Sequence, residues 1–312
     1  MTSTVQPATP SLYRGVFLMI AAVTVFTVMS AFIKAAERIP PGEAVFFRSV
    51  FAMPVIFVWL WMQGDLKDGI RTADWRPHAV RGIAGTCAMG LGFAGLKYLP
   101  LPEVTALRFV TPVLLLIFAA IFLGERFRKV RLFAVLLGLA GVVIMTAPRF
   151  SAGGTGAELF GVCVTLASAG MAALAQTFVK AMAGKEKTAA IVFYFSLTAA
   201  GLSLLTLPFG WVLPMGWEWL FLIGAGLIGG CGQILLTSSY RFADAGVLAP
   251  FTYVSMLWAL LIGYFVFLEV PTLPMILGSL LIIVAGVVIV WRERALGLRG
   301  TAEGKVQAKG HM

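Results

Sequence analysis

The sequence predicts an all-α integral membrane protein with ten transmembrane helices, built as a five-plus-five repeat of inverted topology. Of its 312 residues, 60% are hydrophobic and 12% are charged, against about 25% charged residues in soluble proteins. The apolar stretches are about 18–22 residues long, the length that an α-helix needs to cross a hydrocarbon core. The stretch from Gly82 to Thr146 also recurs later in the chain.

Ten apolar segments follow one another with short connections. The predicted spans are residues 15–34, 44–62, 80–97, 103–123, 130–147, 158–180, 188–208, 217–240, 245–268 and 273–291. The polar tail 1–12 is expected to be mobile, and the charged tail 292–312 to be disordered. Residues 13–148 and 156–291 form the two repeat units.

The repeat rests on a near-constant offset of about 144 residues. This shift places equivalent residues on one another: Gly82 on Gly226, Gly85 on Gly229, Cys87 on Cys231 and Glu125 on Glu269. Each unit contributes five spans, an odd number, so the second unit enters the membrane upside down. Inverted repeats of this kind are a recurring plan of secondary transporters, because two similar halves can open alternately to opposite sides.

The distribution of basic residues predicts the orientation. If the N-terminus is cytoplasmic, most of the 24 Lys and Arg residues fall in cytoplasmic loops and tails, and the outer loops keep only Lys34, Arg38, Lys97 and Arg149. The positive-inside rule therefore places both termini in the cytoplasm, in a multi-pass protein of the cell inner membrane. The net charge of +10 is explained by these loops, so no nucleic-acid partner is expected.

Cysteine and histidine supply no metal or redox pattern. Cys87, Cys163 and Cys231 lie in apolar spans without ligand or disulfide spacing, and are expected to be small packing residues. His78 and His311 are assigned to a loop and a tail. The sequence therefore predicts no cofactor, no metal site and no enzyme.

Two arginines inside apolar spans are the main candidates for substrate binding. Arg48 lies a few residues into span 2 and Arg108 a few residues into span 4, about 6–8 Å below the outer boundary. A charge at that depth usually faces the protein interior or a water-filled cavity. The alternatives are snorkelling to lipid headgroups, or pairing with Glu43 or Glu103. Their counterparts in the second copy, Phe195 and Thr252, are uncharged, so the fold itself does not need the charges.

Polar and aromatic residues of the second copy complete the predicted site. They are Tyr194, Gln233, Thr252, Tyr253, Ser255 and Trp258. Ser255 and Trp258 share a helical face, where a flat substrate could stack. The alternative is ordinary packing between helices or a place in the interfacial aromatic belt.

Carboxylates and glycines have a structural interpretation. All carboxylates of the spans fall at span ends, and Glu125 and Glu269 are expected to bond to helix ends or loops rather than to substrate. The dense glycines of spans 3 and 8 are expected to let helices approach closely. Pro54, Pro112 and Pro250 are predicted kinks.

Several motifs resemble the drug/metabolite transporter superfamily, in its ten-helix EamA branch. The residues that carry the likeness are Phe47-Arg48, Thr111-Pro112, Phe122 to Arg126, Gly138 to Val143, Phe267 to Glu269 and Ala285 to Val288. The second copy departs from the usual Gly-Glu pair, since Leu268 precedes Glu269. The starts of spans 2 and 4 are most similar to the branch that contains riboflavin and S-adenosylmethionine uptake carriers.

The resemblance implies an inner-membrane secondary transporter of a small polar metabolite that works by alternating access. Its first expectation is import of riboflavin or a related flat metabolite. The alternatives are S-adenosylmethionine uptake and export of amino acids or similar metabolites. The expected partners are the small-molecule substrate and membrane lipid, and a homodimer is left open. A receptor or membrane enzyme is the alternative outside this class, but no soluble signalling part or catalytic cluster is visible in the sequence.

Overall fold

The computed structural model contains nine described α-helices and no strand within the ranges that it describes. Those ranges are residues 12–66, 68–72, 74–111, 114, 117–118, 136–137, 140–144, 147, 155–182, 185–242, 248–284 and 287–288. The helices are α1 (Leu12–Ala35), α2 (Pro41–Met62), α3 (Trp75–Tyr98), α4 (Leu101–Arg108), α5 (Gly156–Met182), α6 (Thr188–Ser203), α7 (Trp217–Phe242), α8 (Val254–Phe267) and α9 (Leu273–Val284). Two 3-10 helices, Leu204–Phe209 and Ala249–Tyr253, follow α6 and precede α8.

Six of these segments are long and apolar enough to cross a membrane. They are Tyr13–Ala35, Pro41–Met62, Trp75–Tyr98, Gly156–Val179, Thr188–Phe209 and Trp217–Phe242, and shorter apolar helices cover Phe251–Phe267 and Leu273–Val284. The predicted all-α membrane class is therefore confirmed. About half of the residues in the predicted spans 103–123 and 130–147 lie outside the described ranges, as do Pro112, Glu125 and nearly all of both tails.

Local sequence explains why several helices begin earlier than predicted. Pro41 and Leu101 open α2 and α4, in each case directly after a proline, and prolines occupy the first turns of both helices, where a missing N–H costs nothing. At α3 the carboxylate of Asp74 accepts a hydrogen bond from the backbone N–H of Arg76 at 3.0 Å, a side-chain N-cap. His78, which we expected in a loop, is therefore a buried residue of α3.

The glycines of α3 form a close contact with the second copy. A Cβ at Gly95 would overlap Thr165 of α5, and one at Gly82 would lie 2.7 Å from Thr198 of α6. Ser168 of α5 also donates a hydrogen bond to the carbonyl of Ala88 at 2.6 Å. Small residues allow this approach because lipid offers no hydrophobic drive for helices to associate.

The glycines of α7 repeat this arrangement against the first copy. A Cβ at Gly224 would lie 2.8 Å from Phe32 of α1, and one at Gly226 would overlap Phe51 of α2. Each copy therefore places its glycine-rich third helix on the first two helices of the other copy. This reciprocal contact is what a pseudo-two-fold relation between the repeat units produces.

The outer surface of the bundle is apolar. Large side chains such as Phe17, Trp61, Leu205 and Phe265 are mostly exposed, as lipid contact requires. The three cysteines are exposed as well, so the prediction that they are packing residues is wrong. Their helices α3, α5 and α7 use glycine, serine and threonine at the tight contacts, which leaves cysteine on the opposite faces.

Polar contacts between the copies join them at both ends of the bundle. At one end, Lys34 pairs with Glu269 at 2.9 Å, and Arg38 pairs with Glu218 at 3.0 Å. At the other end, Lys187 pairs with Asp65 at 2.7 Å. Thr72 donates a hydrogen bond to Glu186 at 3.0 Å beside buried His78. These contacts tie the two copies together at both ends of the bundle.

Candidate functional site

A cavity of about 300 Å³ lies in the middle of the bundle, between the two copies. Helices α1 to α4 of the first copy and α5 to α8 of the second copy all contribute to its wall. The volume is at the lower end of the roughly 300–1,000 Å³ of small-molecule sites. A midplane position at the repeat interface is where transporters with inverted repeats bind substrate.

Arg48 points from α2 into this cavity. It lies seven residues after Pro41, about 10 Å along the helix, which is deeper than we expected because α2 begins earlier. One terminal nitrogen, Nη2, donates to the carbonyl of Gly229 at 3.1 Å. The other two nitrogens, Nε and Nη1, have no hydrogen-bond partner among the described residues.

Neither structural alternative for Arg48 describes its position. The residue is 2% exposed, so its guanidinium does not reach the bundle surface. Glu43 does not pair with it, because the Glu43 carboxylate instead accepts the backbone N–H of Val212 at 2.9 Å. Arg48 is therefore a buried cation at the cavity wall.

Arg81 is a second buried cation, and the sequence pattern did not indicate it. It lies on α3, is 4% exposed, and places its guanidinium carbon 3.6 Å from the centre of the Phe195 ring. The guanidinium carbon of Arg48 lies 5.5 Å from the centre of the same ring. The face of an aromatic ring is electron-rich and attracts cations. The Phe195 ring thus contacts two arginines. In the second copy, Phe195 itself is the residue equivalent to Arg48.

Glycines make room for these side chains in a symmetric way. A Cβ at Gly229 would lie 3.0 Å from Nε of Arg48, and a Cβ at the equivalent Gly85 would lie 2.7 Å from the Phe195 ring. Arg48 and Phe195 therefore occupy equivalent spaces in the two copies. The repeat thus places an arginine in one copy where the other copy has a phenylalanine.

Arg108 is the third cation of the wall. It is the last residue of α4 and is partly buried. Its Nη1 atom lies near α3, 3.7 Å from the position a Cβ would take on Gly92. Beyond it the chain leaves the α-helical pattern, since Phe109 and Val110 bond to carbonyls three residues back. The 3-10 helix Ala249–Tyr253 lies at the equivalent place in the second copy, and non-helical backbone at membrane depth is tolerated where it lines a cavity.

The described wall contains three arginines and no carboxylate. Among the described residues, no carboxylate oxygen lies within 4.0 Å of a guanidinium nitrogen of Arg48, Arg81 or Arg108. Burying a charge without a partner is costly. The arrangement therefore suits a ligand that carries negative charge.

The predicted polar residues of the second copy divide into two groups. Gln233, Thr252 and Ser255 line the cavity. Tyr194 instead packs at a tilt against His78, with 4.9 Å between ring centres, and Tyr253 packs edge-on against Phe109, also at 4.9 Å. Trp258 is 38% exposed and is not part of the described wall.

Other polar wall residues had no clear sequence signal. They are Thr27, Ser30, Thr105, Thr111, Gln176 and Tyr240. Single hydroxyls in apolar spans are common, because they can bond to the carbonyl four residues back, as Thr27 does to Val23 at 2.8 Å. Gln176 is the exception, since an amide within an apolar span could have been noticed as Gln233 was.

Glu269 lies away from the cavity, at a helix end. One carboxylate oxygen accepts the backbone N–H of Leu101 at 2.9 Å, at the start of α4, and the other pairs with Lys34. Its equivalent Glu125 and the predicted kink Pro112 lie outside the described residues. Within the part of the chain that the structure describes, no cluster of three or more His, Cys, Asp or Glu could hold a metal ion.

A helical membrane protein with a charged cavity between two copies of a repeat belongs, by fold and site, to the membrane transporters. The model of the EamA-like transporter family matches residues 13–147 and 159–291. The chain belongs to this family, which is a branch of the superfamily that its motifs resemble.

The chain is also similar to two named transporters and to one solved structure. The chain is 30% identical to the pseudopaline exporter CntI of Pseudomonas aeruginosa, over 88% of this chain and 95% of that protein. It is 26% identical to an S-adenosylmethionine uptake transporter of Rickettsia felis, over 86% and 88% of the two chains. One crystal structure, 22% identical, superimposes with a TM-score of 0.67 over 90% of this chain and 98% of that one, which shows the shared fold. Riboflavin transport is not supported by the names of these relatives.

Proposed function

We propose that this protein is a secondary transporter of the cell inner membrane, with both termini in the cytoplasm, for a small metabolite that carries negative charge. The observation that carries the proposal is the cavity between the two copies, whose described wall holds Arg48, Arg81 and Arg108 without a carboxylate. Membership of the EamA-like transporter family supports the class.

The charge of the cavity bears on the kind of substrate. A substrate carboxylate can accept charge-assisted hydrogen bonds from guanidinium groups, which are roughly twice as strong as neutral ones. Nε and Nη1 of Arg48 and of Arg81 are buried donors that have no partner among the described residues. Riboflavin is uncharged near neutral pH, so it would leave these cations unpaired. Metabolites with a carboxylate fit the wall better. Amino acids and S-adenosylmethionine each carry a carboxylate, but the described wall has no carboxylate to pair with their ammonium groups or with the sulfonium of S-adenosylmethionine.

Alternating access would use the contact between the copies. The glycine contacts of α3 and α7 provide two smooth, similar surfaces on which one copy could rock against the other. The ion pairs Lys34–Glu269 and Lys187–Asp65 join the copies at opposite ends of the bundle. One set would open while the other stays closed.

The direction of transport is open between two alternatives. One relative is named as an exporter and another as an uptake transporter, and the cavity is compatible with both. Export of an amino-acid-derived metabolite and uptake of S-adenosylmethionine therefore both remain within the proposal.

Counterflow in proteoliposomes tests the proposal. Vesicles containing the purified protein are preloaded with unlabelled glutamate, S-adenosylmethionine or riboflavin, and entry of the same labelled compound is measured. We expect a saturable, transient overshoot for a carboxylate-bearing compound and none for riboflavin. An overshoot for riboflavin alone would contradict the charge argument, and linear flux without an overshoot would contradict a carrier.

A further inference from the structure

Two of the cavity arginines lie beside glycines on the same face of α3. Nη1 of Arg81 lies 3.0 Å from the position of a Cβ on Gly85, and Nη1 of Arg108 lies 3.7 Å from that of a Cβ on Gly92. These glycines are seven residues apart, which is two helical turns and about 10 Å along the axis. The two guanidinium groups therefore lie beside different turns of α3, and we treat them as two positive positions along the cavity.

Arg48 lies at the same positive position of the cavity as Arg81. Both guanidinium carbons contact the ring of Phe195, at 5.5 Å and 3.6 Å from its centre, so they lie within about 9 Å of each other. The cavity thus has a pole with two arginines at Phe195 and a pole with one arginine, Arg108, further along α3.

Small and apolar side chains separate the two poles. Ala88 and Met89 of α3 lie between Gly85 and Gly92 in sequence, and both line the cavity. The neutral amides of Gln176 and Gln233 are further donors and acceptors in the wall. The space between the poles is therefore suited to an uncharged spacer.

We infer that the cavity binds a metabolite with two acidic groups joined by a short, uncharged spacer. One acidic group is bound between Arg48 and Arg81, and the other is bound by Arg108. This inference rests on the proposed function and narrows its substrate class.

Charge balance favours two acidic groups over one. A single carboxylate at Phe195 leaves Arg108 without a partner, since its closest described surroundings include no carboxylate within 4.0 Å. A single carboxylate at Arg108 leaves two neighbouring cations at Phe195 unpaired. As far as the described residues show, a ligand with acids at both ends gives each pole a partner. Joining the two acids in one molecule makes the second contact intramolecular.

A series of straight-chain dicarboxylates from succinate to sebacate tests the inference. Binding to the full-length purified protein is measured as the concentration that half-maximally raises its unfolding temperature in detergent. Each diacid is compared with the monocarboxylate of equal chain length. We expect the best diacid to act at a concentration at least about tenfold lower than its monoacid, with a clear optimum in chain length.

Variants assign each pole. In Arg108→Gln the advantage of the diacid over the monoacid should disappear, while the monoacid still binds at Phe195. In Arg81→Gln both ligands should weaken. Arg71→Gln removes an arginine whose side chain is 79% exposed and pairs with Asp68, and it should leave all values unchanged. If Arg108→Gln does not fold, Arg108→Lys should retain the advantage in part, because lysine keeps the charge without the fork of donors.

Three results would overturn the inference. Equal binding of diacids and monoacids would exclude two acidic positions. Independence of chain length would exclude a fixed separation between them. Chloride or sulfate acting as strongly as the best diacid would show a small-anion site.

The same ligands separate this inference from the proposed function. Counterflow of a monoacid or of S-adenosylmethionine without diacid preference refutes the two-acid inference and keeps the transporter. Length-dependent diacid binding without counterflow of any diacid refutes transport and keeps the two-pole site.

Discussion

At the scale of single residues, the cavity is defined by arginines whose charge has no described protein partner. Arg48 and Arg108 could be found from the sequence because each is an isolated charge within an apolar span. Arg81 could not, because it lies at the start of its span beside a basic loop, where the positive-inside rule already explains an arginine. The sequence also did not show which aromatic residues line the cavity. Helical spacing places Trp258 and Ser255 on one face of the helix, but it does not show whether that face points to the cavity.

The most informative single substitution is Arg81→Gln. Loss of its charge-assisted hydrogen bonds should raise the substrate concentration for half-maximal counterflow by about tenfold or more. The matched control is Arg71→Gln, at an exposed arginine paired with Asp68, which should behave as wild type. A wild-type transport curve for Arg81→Gln, with normal membrane insertion, would remove Arg81 from the site.

At the scale of elements, apolar length predicts the helices well, and the positions of their ends follow local chemistry. Helices α2 and α4 begin earlier than predicted because prolines occupy their first turns, and α3 begins earlier because Asp74 caps its N-terminus. The contact partners of the glycine-rich helices could not be predicted, because a glycine pattern shows that a helix is approached closely without showing by which neighbour.

The end of α8 carries an identifiable strain. Leu268 has φ 56°, in the left-handed region, where a side chain costs about 1–2 kcal/mol and glycine costs little. This is the residue that replaces glycine in the usual Gly-Glu pair. We expect Leu268→Gly to raise the free energy of unfolding by about 1 kcal/mol, as measured by denaturation in detergent. Destabilisation would mean that the leucine side chain makes a compensating contact.

The contact between α7 and α2 depends on Gly226. A Cβ there would overlap Cβ of Phe51 and lie 3.1 Å from its Cα, so Gly226→Ala should destabilise the protein by about 1–3 kcal/mol. Gly201→Ala is the control, since nothing lies within 4 Å of a Cβ on Gly201, and it should be neutral or slightly stabilising. Similar unfolding temperatures for both variants would contradict the close packing.

At the scale of the whole molecule, two similar copies enclose the cavity and are joined by polar contacts at both ends. The sequence contains the duplication, so the two-copy plan is visible without a structure. The contacts that join the ends are not, because Lys34 and Glu269 are more than two hundred residues apart in the chain, and no local pattern connects them.

The ion pair between Lys34 and Glu269 should couple the copies energetically. Both side chains are about 15% exposed, and Lys34 also donates to the carbonyl of Leu99 at 3.0 Å. In a double-mutant cycle with Lys34→Gln and Glu269→Gln, we expect a coupling energy of about 0.5–3 kcal/mol in detergent unfolding. Additive effects of the two substitutions would show that the pair does not join the copies.

The most direct test of the central claim, that transported substrate occupies the cavity between the copies, is substrate protection of a single cysteine. The exposed Cys87, Cys163 and Cys231 are first replaced by serine. One cysteine is then introduced at the cavity wall by Ser255→Cys. The control is Leu257→Cys, at a residue of α8 that is 61% exposed. The rate of alkylation is measured with and without the compound that gives counterflow. Slower alkylation at position 255 alone is the predicted result, and unchanged rates at both positions with a transported compound at saturation would contradict the account.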